Sequence, residues 1–316
     1  MIILVTGSRG VVGSKLVEIL EKQGHKVFGV DLFHTNKIYG HGLGKVVDEN
    51  YFRCDIGEFR QIEAVINHIK PDVVYNCAAE FGRWNGEHFY EQVWKTNAIG
   101  LKHIIRLQER LKFKLIHCSS SEVYGDYNDV MWENVIDNTP INQMNDYAIS
   151  KRVNEMQINN SREQFGTETV VVRIFNTYGP GEWYHPFRSV NCLFTYNLLH
   201  GKPIVVYPGH TRTSTYIYDC VNALSQICNN FKDGEVYNLA SSSHHTIEYL
   251  AELILKETQA NENLVKFAER EEILTTKDKF VDAEKARIDL NMNESVTLEQ
   301  GVKNTVEWMR TYYEIT

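Results

Sequence analysis

The sequence predicts an α/β fold, a doubly wound parallel sheet with a smaller α/β lobe packed on it. Three observations carry this. Strand-length apolar runs alternate with amphipathic helical runs through the first half of the chain. Those strand runs are apolar on both faces, as strands covered by helices on both sides must be. After Tyr178-Gly179-Pro180-Gly181 the alternation becomes irregular, which marks a lobe of different build.

Ile2–Val5 reads as the first strand. Val12–Lys22 follows as a helix, with Val12, Leu16, Ile19 and Leu20 on one face. Lys26–Val30 is the second strand. Glu58–His68 is a helix, because Phe59, Ile62, Val65, Ile66 and Ile69 recur at helical spacing. Val73–Asn76 is a strand, a helical region ends near Arg110, and Lys114–His117 is a strand. Asp146–Phe165 is a helix and Thr169–Phe175 a strand. Beyond residue 181, strands at Ile204–Tyr207 and Val236–Leu239 mix with helices at Asp219–Asn229, Thr246–Lys256 and Leu298–Arg310.

The chain has 316 residues, 43% hydrophobic and 23% charged, with a net charge of −8. No block of Lys and Arg stands out, which argues against nucleic acid as a partner. No apolar run is long enough to span a bilayer. The start, MIILVTGSRG, lacks the basic flank and cleavage site of a signal peptide, so the expected compartment is the cytoplasm. The six cysteines form no C-x-x-C pair and are expected to be reduced and mostly buried. The 12 histidines form no metal-binding spacing, so no metal is expected.

Thr6-Gly7-Ser8-Arg9-Gly10-Val11-Val12-Gly13 joins the first strand to the first helix. Glycines at this spacing allow a tight turn and close approach of a pyrophosphate to the backbone. The helix N-terminus then offers free N–H groups to the phosphates. Asp31 closes the second strand, where a carboxylate accepts hydrogen bonds from a ribose and repels a 2′-phosphate. The expected cofactor is therefore NAD. Arg9 is the counter-argument, since a basic residue in this loop could reach a phosphate.

Tyr147 and Lys151 stand four apart on a predicted helix and face the same way. A nearby ammonium is expected to lower the phenol pKa, so that the pair takes a proton from an alcohol while hydride leaves its carbon. Upstream, His117-Cys118-Ser119-Ser120-Ser121-Glu122-Val123-Tyr124-Gly125 ends a buried strand in hydroxyls and a carboxylate.

Taken together these segments resemble the extended short-chain dehydrogenase/reductases, specifically the nucleotide-sugar epimerases, dehydratases and decarboxylases. The resemblance spans nearly the whole chain and includes Asn76-Cys77-Ala78-Ala79, Thr96-Asn97-Ala98-Ile99-Gly100 and Arg173-Ile174-Phe175-Asn176-Thr177-Tyr178-Gly179-Pro180. It implies a Rossmann-type NAD-binding domain over 1–176, with about 213–240 returning to it, and a substrate lobe mainly over 177–316. Gly7, Arg9, Gly10, Val11, Val12, Gly13, Asp31, Asp55, Ile56, Ala78, Ala79 and Asn97 would surround NAD, with Tyr147 and Lys151. Ser120 would orient the substrate hydroxyl beside Tyr147. Glu80, Asn176, Tyr207 and Arg212 would meet a nucleotide-diphosphate sugar, Arg212 at the diphosphate.

Glu122 bears on the reaction. The family first oxidises C4 of the sugar. A dehydratase must then remove the C5 proton, which takes a carboxylate base, and expel the C6 hydroxyl. Ser120-Ser121-Glu122 is similar to the Thr-Ser-Glu of GDP-mannose 4,6-dehydratases and UDP-glucuronate decarboxylases. Ser121 stands where dTDP-glucose 4,6-dehydratases carry an acid. Decarboxylases resemble one another in an arginine near a C-terminal segment for which this chain has Thr275-Thr276-Lys277-Asp278-Lys279-Phe280-Val281-Asp282, with lysines instead. The leading expectation is a 4,6-dehydratase, then a 4-epimerase, then a decarboxylase. A scaffold that has lost catalysis is the non-enzyme alternative, which the intact Tyr147 and Lys151 disfavour. The resemblance also implies a homodimer, whose face Val153, Met156 and Ile158 either serve or leave for the core.

Overall fold

The computed structural model describes residues 1–33, 49–269 and 271–315. The elements that build its sheet run in order: β1 Ile2–Thr6, α1 Val11–Lys22, β2 Lys26–Asp31, β3 Tyr51–Arg53, α2 Phe59–Ile69, β4 Val73–Asn76, α3 Leu101–Leu111, β5 Lys114–Ser120, α4 Asp146–Phe165, β6 Thr169–Ile174, α5 Ile217–Gln226 and β7 Val236–Leu239. Among the described residues these seven strands form one parallel sheet in the order β7-β6-β5-β4-β1-β2-β3. The chain leaves β1 in one direction and returns to β4 in the other. The crevice for a ligand in such a sheet lies at that reversal, beyond the strand C-termini.

Side-chain alternation loads both faces. Ile3, Val5, Tyr75, Ile116 and Val172 pack against Leu16 and Leu20 of α1 and Val221 and Leu224 of α5. Leu4, Val74, Leu115 and Val171 pack against Ile62 and Ile66 of α2, Ile104 and Leu107 of α3, and Ile158 of α4. Ile158 is therefore core and cannot serve a dimer face, whereas Met156 is exposed. A separate cluster holds the smaller lobe together: Phe194, Leu198, Ile204 and Val206 against Ile247, Leu250, Ile254, Val302 and Val306.

Within the main sheet, two strands differ from expectation by more than one residue. β3 has three residues, too few for periodicity to reveal, and it forms because β2 offers it an open edge. β5 continues past His117 through Ser120, since Cys118, Ser119 and Ser120 keep register with Val172, Arg173 and Ile174. The hydroxyls thus belong to the strand. No helix among the described residues is long and apolar enough to cross a membrane.

Candidate active site

One cavity, of about 670 Å³, runs over the C-terminal ends of the strands, from the glycine turn to the smaller lobe. At one end the turn fixes the backbone. Gly7 has φ +66°, and a Cβ there would lie 2.7 Å from the Ala78 nitrogen. A Cβ on Gly13 would lie 2.1 Å from the Gly7 oxygen. These contacts hold α1 close under the turn and point its N-terminus, through Gly10, Val11 and Val12, into the cavity. That cradle suits a pyrophosphate.

Asp31 ends β2 beside it. One carboxylate oxygen accepts from the Arg9 N–H at 2.9 Å and the other from the Leu32 N–H at 2.7 Å. Burial raises its pKa, and these bonds oppose the rise. Asp55, Ile56, Ala78 and Ala79 also line the cavity. Two expected residues do not. The Arg9 guanidinium lies 3.8 Å over the Tyr51 ring, where cation–π attraction and burial hold it away from the phosphate cradle. Asn97 sits in a π-helical turn, Trp94–Gly100. It accepts from the Glu80 N–H at 2.9 Å and donates to the Glu80 carbonyl and Ser150 hydroxyl, both at 3.0 Å. It therefore positions Glu80, which does line the cavity.

At the centre, Ser120 closes β5 and Tyr147 opens α4. Asn145 caps α4 by accepting from the Ala148 N–H at 2.7 Å. Lys151, one turn on, donates to the Cys118 carbonyl at 2.8 Å, and its Nζ lies 5.9 Å from the Tyr147 ring centroid. Burial dominates here. It pushes the Tyr147 phenol up to about 12, against the Ser120 hydrogen bond that lowers it. It also pulls Lys151 down to about 8. The lowering expected from Lys151 is not what opposes burial here: the Ser120 hydrogen bond is.

At the far end stand charges that sequence reading assigned only in part. Lys279 donates to Glu122. Asn145 also donates to Glu122, at 3.3 Å. Burial would raise the Glu122 pKa, but the charges of Lys279, Arg83 and Arg212 hold it down at about 2. Arg83 pairs with Glu272 at 2.7 Å, and Arg212 approaches the same carboxylate at 4.0 Å. Arg212 also donates to the Thr211 and Lys277 carbonyls at 2.6 and 2.9 Å and to the Thr275 hydroxyl at 3.2 Å. Asn176, with φ +36°, donates to the Thr213 carbonyl at 3.0 Å and lines the wall, as do Ser121 and Tyr207. Arg83 and Glu272 were missed. The aromatic, glycine-containing segment 81–90 that carries Arg83 was the available signal.

Among the described residues no cluster of His, Cys, Asp and Glu could hold a metal ion. The profile of the NAD dependent epimerase/dehydratase family matches residues 3–240. UDP-glucuronic acid decarboxylase 1 of Xenopus tropicalis is 30% identical over 99% of this chain and 73% of its own length. The dTDP-glucose 4,6-dehydratase of Salmonella typhimurium is 26% identical over 98% of this chain and 92% of its own. The crystal structure of a UDP-glucose 4-epimerase of Thermotoga maritima with UDP-glucose has a TM-score of 0.86 at 25% identity, over 99% of this chain and 100% of that one. Three different reactions are represented among these proteins.

Proposed function

The chain belongs to the NAD-dependent epimerase/dehydratase family, and from that premise we propose that it decarboxylates a nucleotide-diphosphate sugar acid. The glycine turn and Asp31 would hold NAD, which would supply a hydride acceptor, and later donor, for C4 of the sugar. Tyr147 accepts the C4 hydroxyl proton, Ser120 shares that hydroxyl, and Lys151 steadies the developing charge.

The observation that carries the finer reading is the bond between Glu122 and Lys279. A carboxylate held near pKa 2 is a weak base. Loss of carbon dioxide from a 4-keto uronic sugar needs no base. The C5–C6 bond breaks, its electron pair moves towards the C4 ketone, and carbon dioxide leaves. Lys279 then supplies the proton that C5 requires. Arg83, Arg212 and Lys279 also give this end of the cavity cations for a sugar carboxylate and a diphosphate. The 30% identity to a UDP-glucuronic acid decarboxylase supports the same reading.

The motif alone ranks 4,6-dehydration first, and one feature keeps it as the second reading. Lys279 stands beside Glu122, where it could protonate a leaving C6 hydroxyl in place of the acid that Ser121 lacks. Product mass decides. Purified protein with NAD and a panel of UDP-, dTDP-, GDP- and CDP-sugars is expected to lose carbon dioxide from a uronate. Loss of water from a neutral hexose would establish the dehydratase instead, and an unchanged mass with altered configuration an epimerase. A homodimer through α4 and the π-helical turn that leads into α3 belongs to the same proposal, with exposed Ile99, Ile149 and Met156 as its contacts. Gel filtration at the mass of one chain would remove it.

A further inference from the structure

Glu272 stands between two arginines from distant parts of the chain. Its Oε1 is 2.7 Å from Arg83 Nη2, and its Oε2 is 4.0 Å from Arg212 Nη2. All three residues line the cavity, and the charges of Arg83 and Arg212 reach Glu122 and Lys279. Arg83 and Glu272 remain 24% and 19% exposed, so cavity solvent reaches the pair. Arg83 also donates to the Ile273 carbonyl at 3.5 Å, and the Leu274 carbonyl accepts from Asn145 at 3.0 Å. Leu274 itself has φ +65°, a conformation that costs energy for a residue with a side chain.

A carboxylate beside two guanidinium groups supplies the charge and paired oxygens that a phosphate or a sugar carboxylate would supply. We propose that Glu272 is a stand-in anion: it keeps Arg83 and Arg212 placed and charge-balanced, and yields them to an anionic group of the substrate. This rests on the reading of the cavity as a nucleotide-sugar site. Glu272 is a positioning residue here, and it sets affinity by competition.

The test is calorimetric titration of the full chain, saturated with NAD, using whichever of UDP, dTDP or GDP binds the wild type, alone and as its uronic sugar. Glu272→Gln keeps the shape and removes the competing charge. It is expected to tighten binding about fivefold, the scale of one partly exposed ion pair. Arg83→Gln is expected to weaken it. Tightening of the bare nucleotide identifies the diphosphate as the displacing group, and tightening confined to the uronic sugar identifies its carboxylate. Weaker or unchanged binding by Glu272→Gln, with unchanged melting temperature, would overturn the proposal, since a mere brace gives that result. If Glu272→Gln loosens the fold, Glu272→Asp separates the cases: a shorter carboxylate that holds the arginines less closely is expected to tighten binding, and weaker or unchanged binding would overturn the proposal. A wild type that binds no nucleotide would sink the nucleotide-sugar reading itself.

Discussion

The carboxylate of Glu122 is bonded to the ammonium of Lys279, 157 residues further along the chain. Their side chains are 16% and 3% exposed. One partner follows a strand of the main sheet, and the other arrives on the segment that crosses from the smaller lobe. The pair places an anion and a cation on the cavity wall, within electrostatic reach of Arg83 and Arg212.

Breaking the pair from one side leaves the other charge buried. Glu122→Gln is expected to cost about 3 kcal/mol, as is typical when a buried ion pair loses one member. Lys279→Met is expected to be similarly costly. The double variant is expected to recover much of the loss, because no charge is then stranded. Urea unfolding of the four proteins measures this. Additive losses in the double variant would mean that the two groups do not depend on each other. Either single change is also expected to lower kcat about a hundredfold or more, the usual scale for a positioned proton donor or its partner.

The same pair sets a pH dependence. The folded-state pKa of Glu122 is held at about 2, and a free glutamate titrates near 4.3. A carboxylate lowered by folding stabilises the fold above its unfolded pKa and loses that contribution as pH falls through the folded one. The stability gap between wild type and Glu122→Gln is therefore expected to be level above about pH 5 and to shrink between about 4.3 and 2. Urea midpoints measured in that window test it. A gap that widens with acid would contradict the ion pair.

Tyr147→Phe is expected to keep NAD affinity and lose turnover by about a hundredfold or more, because it deletes only the group that takes the C4 proton. Fluorescence titration with NAD and single-turnover reduction of NAD separate the two effects. Equal losses in both would recast Tyr147 as a cofactor contact. With the phenol near 12 and Lys151 near 8, turnover in the wild type is expected to rise from acid towards neutral pH.

The cofactor end was legible in the sequence because its requirements are local. Gly13 meets the Gly7 backbone within one turn, Gly7 itself takes a positive φ there, and Asp31 ends a strand whose apolar run is plain. Ser120, Tyr147 and Lys151 were legible for a related reason, since motif spacing on one strand and one helix carries them. The far end was not. Glu272 and Lys279 reach the cavity from a stretch with no periodic pattern, and only packing brings them to Arg83 and Glu122. Arg9 was misjudged because its stacking partner, Tyr51, sits on a strand too short to predict. The effect of Lys151 on Tyr147 was misjudged because burial cannot be read from a four-residue spacing.

Asp31 offers a test in which structure and recognition can be told apart. Its carboxylate accepts from two backbone N–H groups and so shapes the glycine turn, while it also faces the cavity. Asparagine retains one acceptor oxygen but no charge. If the charge excludes a 2′-phosphate, Asp31→Asn is expected to weaken NAD binding about tenfold and to narrow the preference for NAD over NADP. If the residue only shapes the turn, both cofactors weaken together and the preference is unchanged. Parallel fluorescence titrations with the two cofactors give the ratio directly. Arg9 bears on the outcome, because its guanidinium is engaged with the Tyr51 ring. A gain in NADP affinity in Asp31→Asn that disappears in Asp31→Asn/Arg9→Ala would show that the arginine turns towards a 2′-phosphate once the carboxylate no longer repels it.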